Sequence, residues 1–262
     1  VGTPSRRNGS LDTSHVEDVA RSIGRALRER DGRHTVVVRS TLLPGTTHGL
    51  VRTALEEESG KRCGEEIGLA YNPEFLREGS AVADFGDPPY TLVGGIDEAS
   101  ALDAAALYAT LEAPLHLISI PEAEMAKYAA NAFHAAKIVF ANEIASFSHA
   151  SGVDGRRVME LLVQDTRLNI SPAYLRPGFA YGGSCLPKDV RALLHSARQS
   201  DVELPLLRSV HESNDVQLER GIELVRAQPG RSVGVLGLSF KAGTDDLRES
   251  PVVRLVEALL GK

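Results

Sequence analysis

The residues best suited to chemistry lie around Cys185, in the run Arg176-Pro-Gly-Phe-Ala-Tyr-Gly-Gly-Ser-Cys-Leu-Pro-Lys-Asp189. A thiol becomes an effective nucleophile beside a cation and the backbone N–H groups at the start of a helix. The residues from Leu186 onward predict such a helix, with Pro187 in its first turn, where a missing N–H costs nothing. The run therefore predicts covalent catalysis by Cys185; a small buried cysteine beside a tight turn is the alternative.

A pair of carboxylates follows a predicted strand in the run Asn72-Pro-Glu-Phe-Leu-Arg-Glu78. Glu74 and Glu78 are spaced i and i+4, so they would share a face if this segment formed a helical turn. Open α/β sheets place their sites at the carboxyl ends of strands, which favours a functional site at this pair. A capped, solvated turn is the alternative.

Polar residues interrupt an otherwise apolar helix predicted over residues 122–150. Lys127, Asn131, His134 and Asn142 fall near one face, among Ala, Phe, Ile and Val residues. A polar stripe in apolar surroundings predicts burial with partners, and a buried lysine can act on a developing negative charge. A stripe facing solvent is the alternative.

Two cations flank the start of a predicted helix near the end of the chain. Lys241 and Arg248 precede Ser250, an expected N-cap, and Pro251, an expected first helical residue. Cations at a helix N-terminus suit a phosphate group, and a simple capped loop is the alternative.

Strands and helices alternate in the first part of the chain. Strands are predicted at 35–39, 67–71, 91–94 and 115–119, with helices at 15–30, up to 59 and 98–111. This order predicts an α/β fold with a Rossmann-like, mostly parallel sheet. Helices are then predicted at 122–150, 154–163, 187–200 and 205–227, which makes the middle of the chain an all-α domain built on one long helix.

A second Rossmann-like domain begins at 232–239, where a strand is predicted, and continues with a helix at 251–260. The expected domains are therefore 1–119, 120–229 and 230–262. No Gly-x-Gly-x-x-Gly fingerprint occurs before residue 119, and the chain opens like the end of a strand entering a loop. We expect the chain to be a fragment, truncated at both ends.

Composition excludes several classes of protein. The 262 residues carry a net charge of −6, so no basic excess is available for a nucleic-acid surface. No apolar run approaches the ~20 residues of a membrane span. The two cysteines make no disulfide framework, which favours the cytoplasm, and Cys63 is expected to be an exposed bystander.

Taken together, these runs resemble the nucleotide-sugar (UDP-glucose/GDP-mannose) 6-dehydrogenases over essentially the whole chain. The most specific matches are 72–78, 127–143, 176–193 and 238–251. The resemblance implies an NAD-dependent oxidation of a sugar C6 alcohol to a carboxylate, with two NAD per sugar and no metal. His134 and the run from Arg176 are similar to the branch that acts on GDP-mannose, while UDP-glucose and UDP-N-acetylmannosamine remain alternative substrates.

The resemblance also assigns residues and partners. Cys185 would capture the aldehyde, Lys127 and Asn131 would hold the oxyanion or a water, and Glu74 and Asp189 would assist proton transfer. It implies NAD contacts at Thr3, Thr41, Glu78, Lys188 and Arg248, and nucleotide-sugar contacts at Lys127, Asn131, His134, Asn142, Tyr174, Arg176, Phe179, Gly182 and Lys241.

The resemblance further implies a homodimer, or a higher homo-oligomer, through the central helices. Phe133, Phe140 and Phe147 would serve that interface or pack within the chain. A chain lacking its first βαβ unit could instead be an inactive module that only binds and dimerises.

Overall fold

The computed structural model of the protein describes residues 1–4, 6–8, 10–76, 79–171, 173–174, 178–183, 185–230, 232–241 and 243–261. Two predicted site residues, Glu78 and Arg176, lie outside the described residues. The chain divides into two compact units, Val1–His134 and Ala135–Lys262. The three domains expected from the sequence stay a prediction.

The first unit is built on a sheet of four strands within the described residues. The strands are β1 (His34–Val38), β2 (Ile67–Tyr71), β3 (Thr91–Gly95) and β4 (Leu115–Ser119), in the order β1-β2-β3-β4. β1 pairs with β2, and β3 with β4, in parallel, whereas β2 and β3 are antiparallel. The α/β class is confirmed, and the sheet is mixed because strand direction depends on the path of the connections, which periodicity does not record.

Apolar residues from several helices of this unit join the buried core around the sheet. The helices of the unit are α1 (Ser14–Arg28), α2 (Arg52–Ser59), α3 (Ala81–Gly86) and α4 (Glu98–Ala105); a π-helical turn (Thr47–Val51) leads into α2 and a 3-10 turn (Ala106–Tyr108) follows α4. The buried residues Val16, Ala20 and Leu27 recur at helical spacing along α1 and join the main core. At the start of α4, the Asp97 side chain accepts a hydrogen bond from Ser100 N and so caps the helix.

The long helix α5 (Ile120–Ala150) begins directly after β4. Its first residues are buried, including Ile120 and Ala123. Gly94 of β3 permits this close approach, since a Cβ atom there would lie 2.7 Å from the Cα of Ile120. The start of α5 is thereby held rigidly beside the sheet, which matters because Lys127 lies in its second turn.

The second unit is helical. It contains the rest of α5 with α6 (Gly155–Leu162), α7 (Leu186–Gln199), α8 (Pro205–Arg226) and α9 (Pro251–Leu260). Ala197, Leu204 and Leu207 form its buried core, against which Phe140 and Phe147 pack. Packing within the chain therefore accounts for these two phenylalanines, while Phe133 is exposed.

The strand predicted at 232–239 is wrong. Residues 232–238 have no regular secondary structure, and Val233 and Leu236 are exposed. A strand needs a neighbour for its backbone hydrogen bonds, and the described part of the chain places none beside this segment. Among the residues described, no helix has the length and apolar character needed to cross a membrane.

Candidate active site

A partly buried ion pair joins two of the predicted residues in the first unit. The Nζ atom of Lys127 lies 3.0 Å from Glu74 Oε1 and donates a hydrogen bond of 2.5 Å to the Glu74 carbonyl oxygen. Lys127 is only 6% exposed, and its ammonium also lies 5.5 Å from the ring centroid of Phe75. α5 supplies the lysine and the segment after β2 supplies the glutamate, so the pair stands at the carboxyl end of a strand.

The pKa of Glu74 is lowered from its ordinary value. Burial works in the opposite direction, but the hydrogen bond and charge of Lys127 and the Leu76 N–H outweigh it. Glu74 is therefore a carboxylate at neutral pH and is able to accept a proton. Residues 72–76 are not helical, so the shared helical face expected for Glu74 and Glu78 does not form there.

The rest of the polar stripe on α5 is not buried as expected. Asn131, His134 and Asn142 are exposed, and every residue from 131 to 139 is exposed as well. Within the first unit, the buried residues of α5 lie in its first turns and include Glu124 and Lys127. Periodicity places these residues on a face, but burial depends on what packs against that face.

Glu124 is a buried residue that sequence reasoning missed. Its carboxylate accepts hydrogen bonds from Gly45 N at 2.6 Å and Thr47 N at 2.9 Å. It thereby holds the segment after β1, in which Gly45 has a φ of +89° that favours glycine. The spacing Glu-x-x-Lys, which puts Glu124 on the same helix face as Lys127, is the signal that could have identified it.

A cavity of about 530 Å³ opens at the carboxyl end of β1. Thr3 and Thr41, two of the predicted cofactor residues, both line it, and the Thr3 hydroxyl donates to the Thr41 carbonyl at 3.1 Å. Apolar side chains such as Val36 form the other wall. A lining of hydroxyls and apolar side chains suits the sugar and the flat ring of a nucleotide, so the residues fit NAD.

Glu74 also lines a second cavity, of about 400 Å³. A chain of hydrogen bonds crosses its wall, from Arg39 to the Tyr108 hydroxyl and from that hydroxyl to Asn72 Oδ1. Asn72 in turn donates to the Leu92 carbonyl at 2.8 Å. Glu74 and Arg39 thus stand at a wall common to both cavities.

In the second unit, Cys185 is exposed and occupies the N-cap position of α7. Pro187 lies in the first turn, as predicted, and Asp189 N donates to the Cys185 carbonyl at 2.9 Å. Its exposure excludes the alternative of a buried packing cysteine. Lys188 and Asp189 form an exposed ion pair at 2.6 Å.

Two glycines before Cys185 are enclosed by the segment 238–251. A Cβ atom on Gly182 would lie 2.2 Å from the Glu249 carbonyl oxygen, and one on Gly183 would lie 2.9 Å from the Phe240 ring. Gly183 also has a φ of +92°. A side chain at either position would overlap its neighbour, so both positions require glycine.

The predicted phosphate-binding cations are exposed. Arg248 pairs with Asp246 at 2.8 Å, and hydrogen bonds from Arg248 lower the pKa of Asp246 to about 2. Lys241 lies 5.8 Å from the ring centroid of Phe240. Ser250 accepts from Val253 N and caps α9, as predicted. An incoming phosphate would compete with Asp246 for Arg248.

Tyr174 and Phe179, two further predicted residues of the second unit, differ in exposure and packing. Tyr174 is 84% exposed and has a φ of +62°, which is unusual for a residue with a side chain. The ring of Phe179 packs where Gly221 of α8 has no side chain.

Cys63 of the first unit was expected to be exposed. It is buried, and burial raises the pKa of its thiol to about 11.

The chain belongs to the UDP-glucose/GDP-mannose dehydrogenase family. Residues 1–112 match the model of the family's NAD binding domain, residues 121–216 its central domain and residues 234–262 its UDP binding domain. The expectation of NAD as cofactor is confirmed by the first of these matches.

Several relatives are similar over the full chain. It is 53% identical over 262 residues to GDP-mannose 6-dehydrogenase of Pseudomonas aeruginosa, covering 100% of this chain and 60% of that protein. It is 42% identical to UDP-glucose 6-dehydrogenase of Haloferax volcanii, covering 98% of the chain and 61% of that protein. The chain therefore spans about 60% of the length of the first of these relatives.

Solved structures agree with these relationships. A ternary complex of GDP-mannose dehydrogenase from Pseudomonas aeruginosa matches with a TM-score of 0.98 at 52% identity, over 100% of this chain and 60% of that one. A UDP-glucose dehydrogenase from Pyrobaculum islandicum matches with a TM-score of 0.62 at 41% identity, over 100% of this chain and 60% of that one.

Proposed function

We propose that the protein to which this chain belongs oxidises GDP-mannose to GDP-mannuronate with NAD, through a covalent intermediate on Cys185. The observation that carries the proposal is the exposed Cys185 at the N-terminus of α7, in a chain 53% identical to a GDP-mannose 6-dehydrogenase. The two cations near this sulfur support it, since Cys185 interacts electrostatically with both Lys188 and Arg248.

The first half of the reaction turns the C6 alcohol of the sugar into an aldehyde. NAD, when bound, accepts the hydride of each oxidation, so two molecules are reduced per sugar. Glu74, an ionised carboxylate in this structure, or Asp189 would take the proton of the C6 hydroxyl.

The second half needs the cysteine, because an aldehyde cannot reach the acid level by direct loss of hydride. The Cys185 sulfur forms a bond to the aldehyde carbon, and Lys127 and Asn131 would stabilise the resulting oxyanion. Loss of the second hydride leaves a thioester. Water then attacks its carbonyl, the C–S bond breaks and the carboxylate leaves, with proton transfer assisted by Glu74 and Asp189.

Binding residues are proposed in two groups. Thr3 and Thr41, which share the larger cavity, would hold NAD with Lys188 and Arg248. Glu78 and Arg176, outside the described residues, stay proposals from the sequence alone. The nucleotide sugar would be held by Lys127, Asn131, His134, Asn142, Tyr174, Phe179, Gly182 and Lys241. A homodimer through the central helices also stays a proposal, for which the exposed Phe133 and Ile138 provide apolar surface.

A UDP-sugar dehydrogenase is the second candidate, and the 42% identity to a UDP-glucose 6-dehydrogenase favours it. The third is that the chain by itself only binds and dimerises. Parallel assays of GDP-mannose, UDP-glucose and UDP-N-acetylmannosamine with the complete protein and with this chain separate the three. Reduction of about two NAD per GDP-mannose by the complete protein supports the proposal.

The decisive variant is Cys185→Ser in the complete protein. A serine hydroxyl is a far weaker nucleophile than a thiolate, so uronate formation should be lost while binding of the nucleotide sugar persists. Cys63→Ser is the matched control and should keep full turnover. Uronate formation at the normal rate by Cys185→Ser would refute the covalent mechanism.

A further inference from the structure

Residues on one face of α8 contact the segment Gly178–Tyr181, which precedes Cys185 in the chain. Contacts come from His211, Asn214, Gln217 and Gly221, spaced by three, three and four residues, as one helix face requires. None of these residues was identified by sequence reasoning. They nevertheless account for how a segment without helix or strand is held in place.

Asn214 makes the strongest of these contacts. Tyr181 N donates to Asn214 Oδ1 at 2.8 Å, and Asn214 Nδ2 donates to the Tyr181 carbonyl at 3.0 Å. The amide therefore satisfies both backbone groups of one residue, as a neighbouring strand would. One turn further on, Gln217 Nε2 donates to the Gly178 carbonyl at 2.7 Å.

Two further contacts extend the same face. A Cβ atom at Gly221 would lie 2.3 Å from Cε2 of Phe179, so the ring occupies the space that a side chain would need. Glycine inside a helix lowers its stability relative to alanine. The space that the Phe179 ring needs accounts for glycine at position 221. The Tyr181 hydroxyl lies 3.3 Å from Nδ1 of His211.

The described residues between Tyr181 and Cys185, Gly182 and Gly183, are also closely packed, which lets the position of Tyr181 influence that of Cys185. Gly182 lies against the Glu249 carbonyl and Gly183 against the Phe240 ring, so neither can shift toward the segment 238–251. Beyond them, Cys185 is the N-cap residue of α7. Among the residues described before the sulfur, Tyr181 is the last that forms hydrogen bonds with α8.

We propose that Asn214 is a positioning residue for Cys185: by pairing with both backbone groups of Tyr181, it holds the sulfur in place at the N-terminus of α7. The inference rests on the proposed function in that it assumes a reactive Cys185. Asn214 acts through the backbone and touches neither substrate nor cofactor.

The first test measures the position of the segment without any turnover. Hydrogen–deuterium exchange should be about tenfold faster at the Tyr181 amide in Asn214→Ala, since one ordinary hydrogen bond is lost there. Asn214→Asp keeps the acceptor for the Tyr181 amide but loses the donor to the Tyr181 carbonyl, so it should keep only part of the protection. Ser213→Ala, exposed on the same helix, is the matched control and should exchange like the parent protein.

The second test measures the surroundings of the sulfur. Iodoacetate is an anion and iodoacetamide is neutral, so the ratio of their alkylation rates at Cys185 reports the nearby cations. Asn214→Ala should lower this ratio severalfold, and Cys185→Ser gives the background from Cys63. If Asn214→Ala does not fold, Gln217→Ala at the neighbouring contact carries both measurements and should show the same changes more weakly.

The third measurement links position to turnover in the complete protein. Asn214→Ala should lower kcat for NAD reduction about tenfold with little change in KM for the nucleotide sugar. Unchanged exchange and an unchanged alkylation ratio in a folded Asn214→Ala variant would overturn the proposal, as would a normal kcat. If Cys185→Ser proves fully active, the proposed function fails, whereas exchange and alkylation still decide whether Asn214 positions the sulfur.

Discussion

Glu74→Gln should destabilise the protein more than removal of its partner charge does. The two side chains of the ion pair differ in burial, with 8% of the Lys127 side chain and 34% of the Glu74 side chain exposed. Glu74→Gln leaves a buried ammonium without its counter-charge. Lys127→Met leaves a carboxylate that water can reach.

The burial of each partner sets the size of the effect. An uncompensated buried charge costs about 3–5 kcal/mol, and the retained 2.5 Å contact of Lys127 with the Glu74 carbonyl places Glu74→Gln near the lower end. Lys127→Met should cost about 1 kcal/mol, since solvent stabilises the remaining carboxylate. The double variant removes both charges and should unfold within about 1 kcal/mol of the parent protein.

Urea denaturation of the four proteins gives a double-mutant cycle. The exposed pair Lys188–Asp189, 67% and 66% exposed and 2.6 Å apart, is the matched control. The cycle Lys188→Met and Asp189→Asn should show no measurable coupling, because both groups are solvated. The Lys127–Glu74 pair should show a coupling of about 3–5 kcal/mol.

The pH dependence of the unfolding free energy gives a second test of the same ion pair. The pKa of Glu74 is lower in the folded protein than its ordinary value, so its contribution is complete above the ordinary carboxyl pKa. That contribution is lost as the pH falls through the folded value, where the carboxylate takes up a proton. The difference between the parent protein and Glu74→Gln should therefore shrink in acid.

Equal destabilisation by the two single variants would refute this reasoning. So would a double variant whose loss equals the sum of the single losses, because the charges would then act independently. An undiminished effect of Glu74→Gln in acid would show that its cause is packing and not charge.

Three more outcomes follow from the structure. Gly94→Ala should cost about 1–3 kcal/mol of unfolding free energy, because the new methyl would lie 2.7 Å from the Ile120 Cα and 2.9 Å from the Ser119 carbonyl. Gly234→Ala, with no atom within 4 Å of the new methyl, is its control. Equal denaturation midpoints for the two variants would contradict the close approach. Glu143→Gln should cost about 1–2 kcal/mol in the same assay, since its carboxylate accepts from Leu206 N at 2.6 Å and Leu207 N at 3.0 Å at the start of α8; an unchanged midpoint would remove this capping role. Cys63 is buried and the pKa of its thiol is raised to about 11, so it should react slowly with an alkylating agent. Mass spectrometry after mild alkylation should find label on Cys185 and none on Cys63 until urea is added. Labelling of both cysteines at one rate in the folded protein would contradict the burial of Cys63.

Local patterns predicted most of the secondary structure. β2 and β4 coincide with the predicted strands, and α9 begins after the predicted Ser250 cap. These features depend on side-chain alternation, on capping residues and on the fixed φ of proline, all of which act within a few residues. The strand predicted at 232–239 failed because a strand also needs a partner.

The candidate site was only partly open to sequence reasoning. The position of Cys185 at a helix N-terminus depends on its immediate neighbours and could be predicted. The burial of Cys63 and the exposure of His134 could not, because both depend on segments distant in the chain. The antiparallel pairing of β2 with β3 was hidden for the same reason.

The amino-acid sequence alone determined the α/β class, the positions of most strands and helices, and the chemical groups from which the proposed reaction is built. Tertiary structure decided which of these groups are paired: Lys127 with Glu74, Glu124 with Gly45 and Asn214 with Tyr181. Each pair joins residues more than thirty positions apart in the chain. Secondary structure follows from interactions along a few residues, whereas burial and charge pairing arise only when distant segments meet.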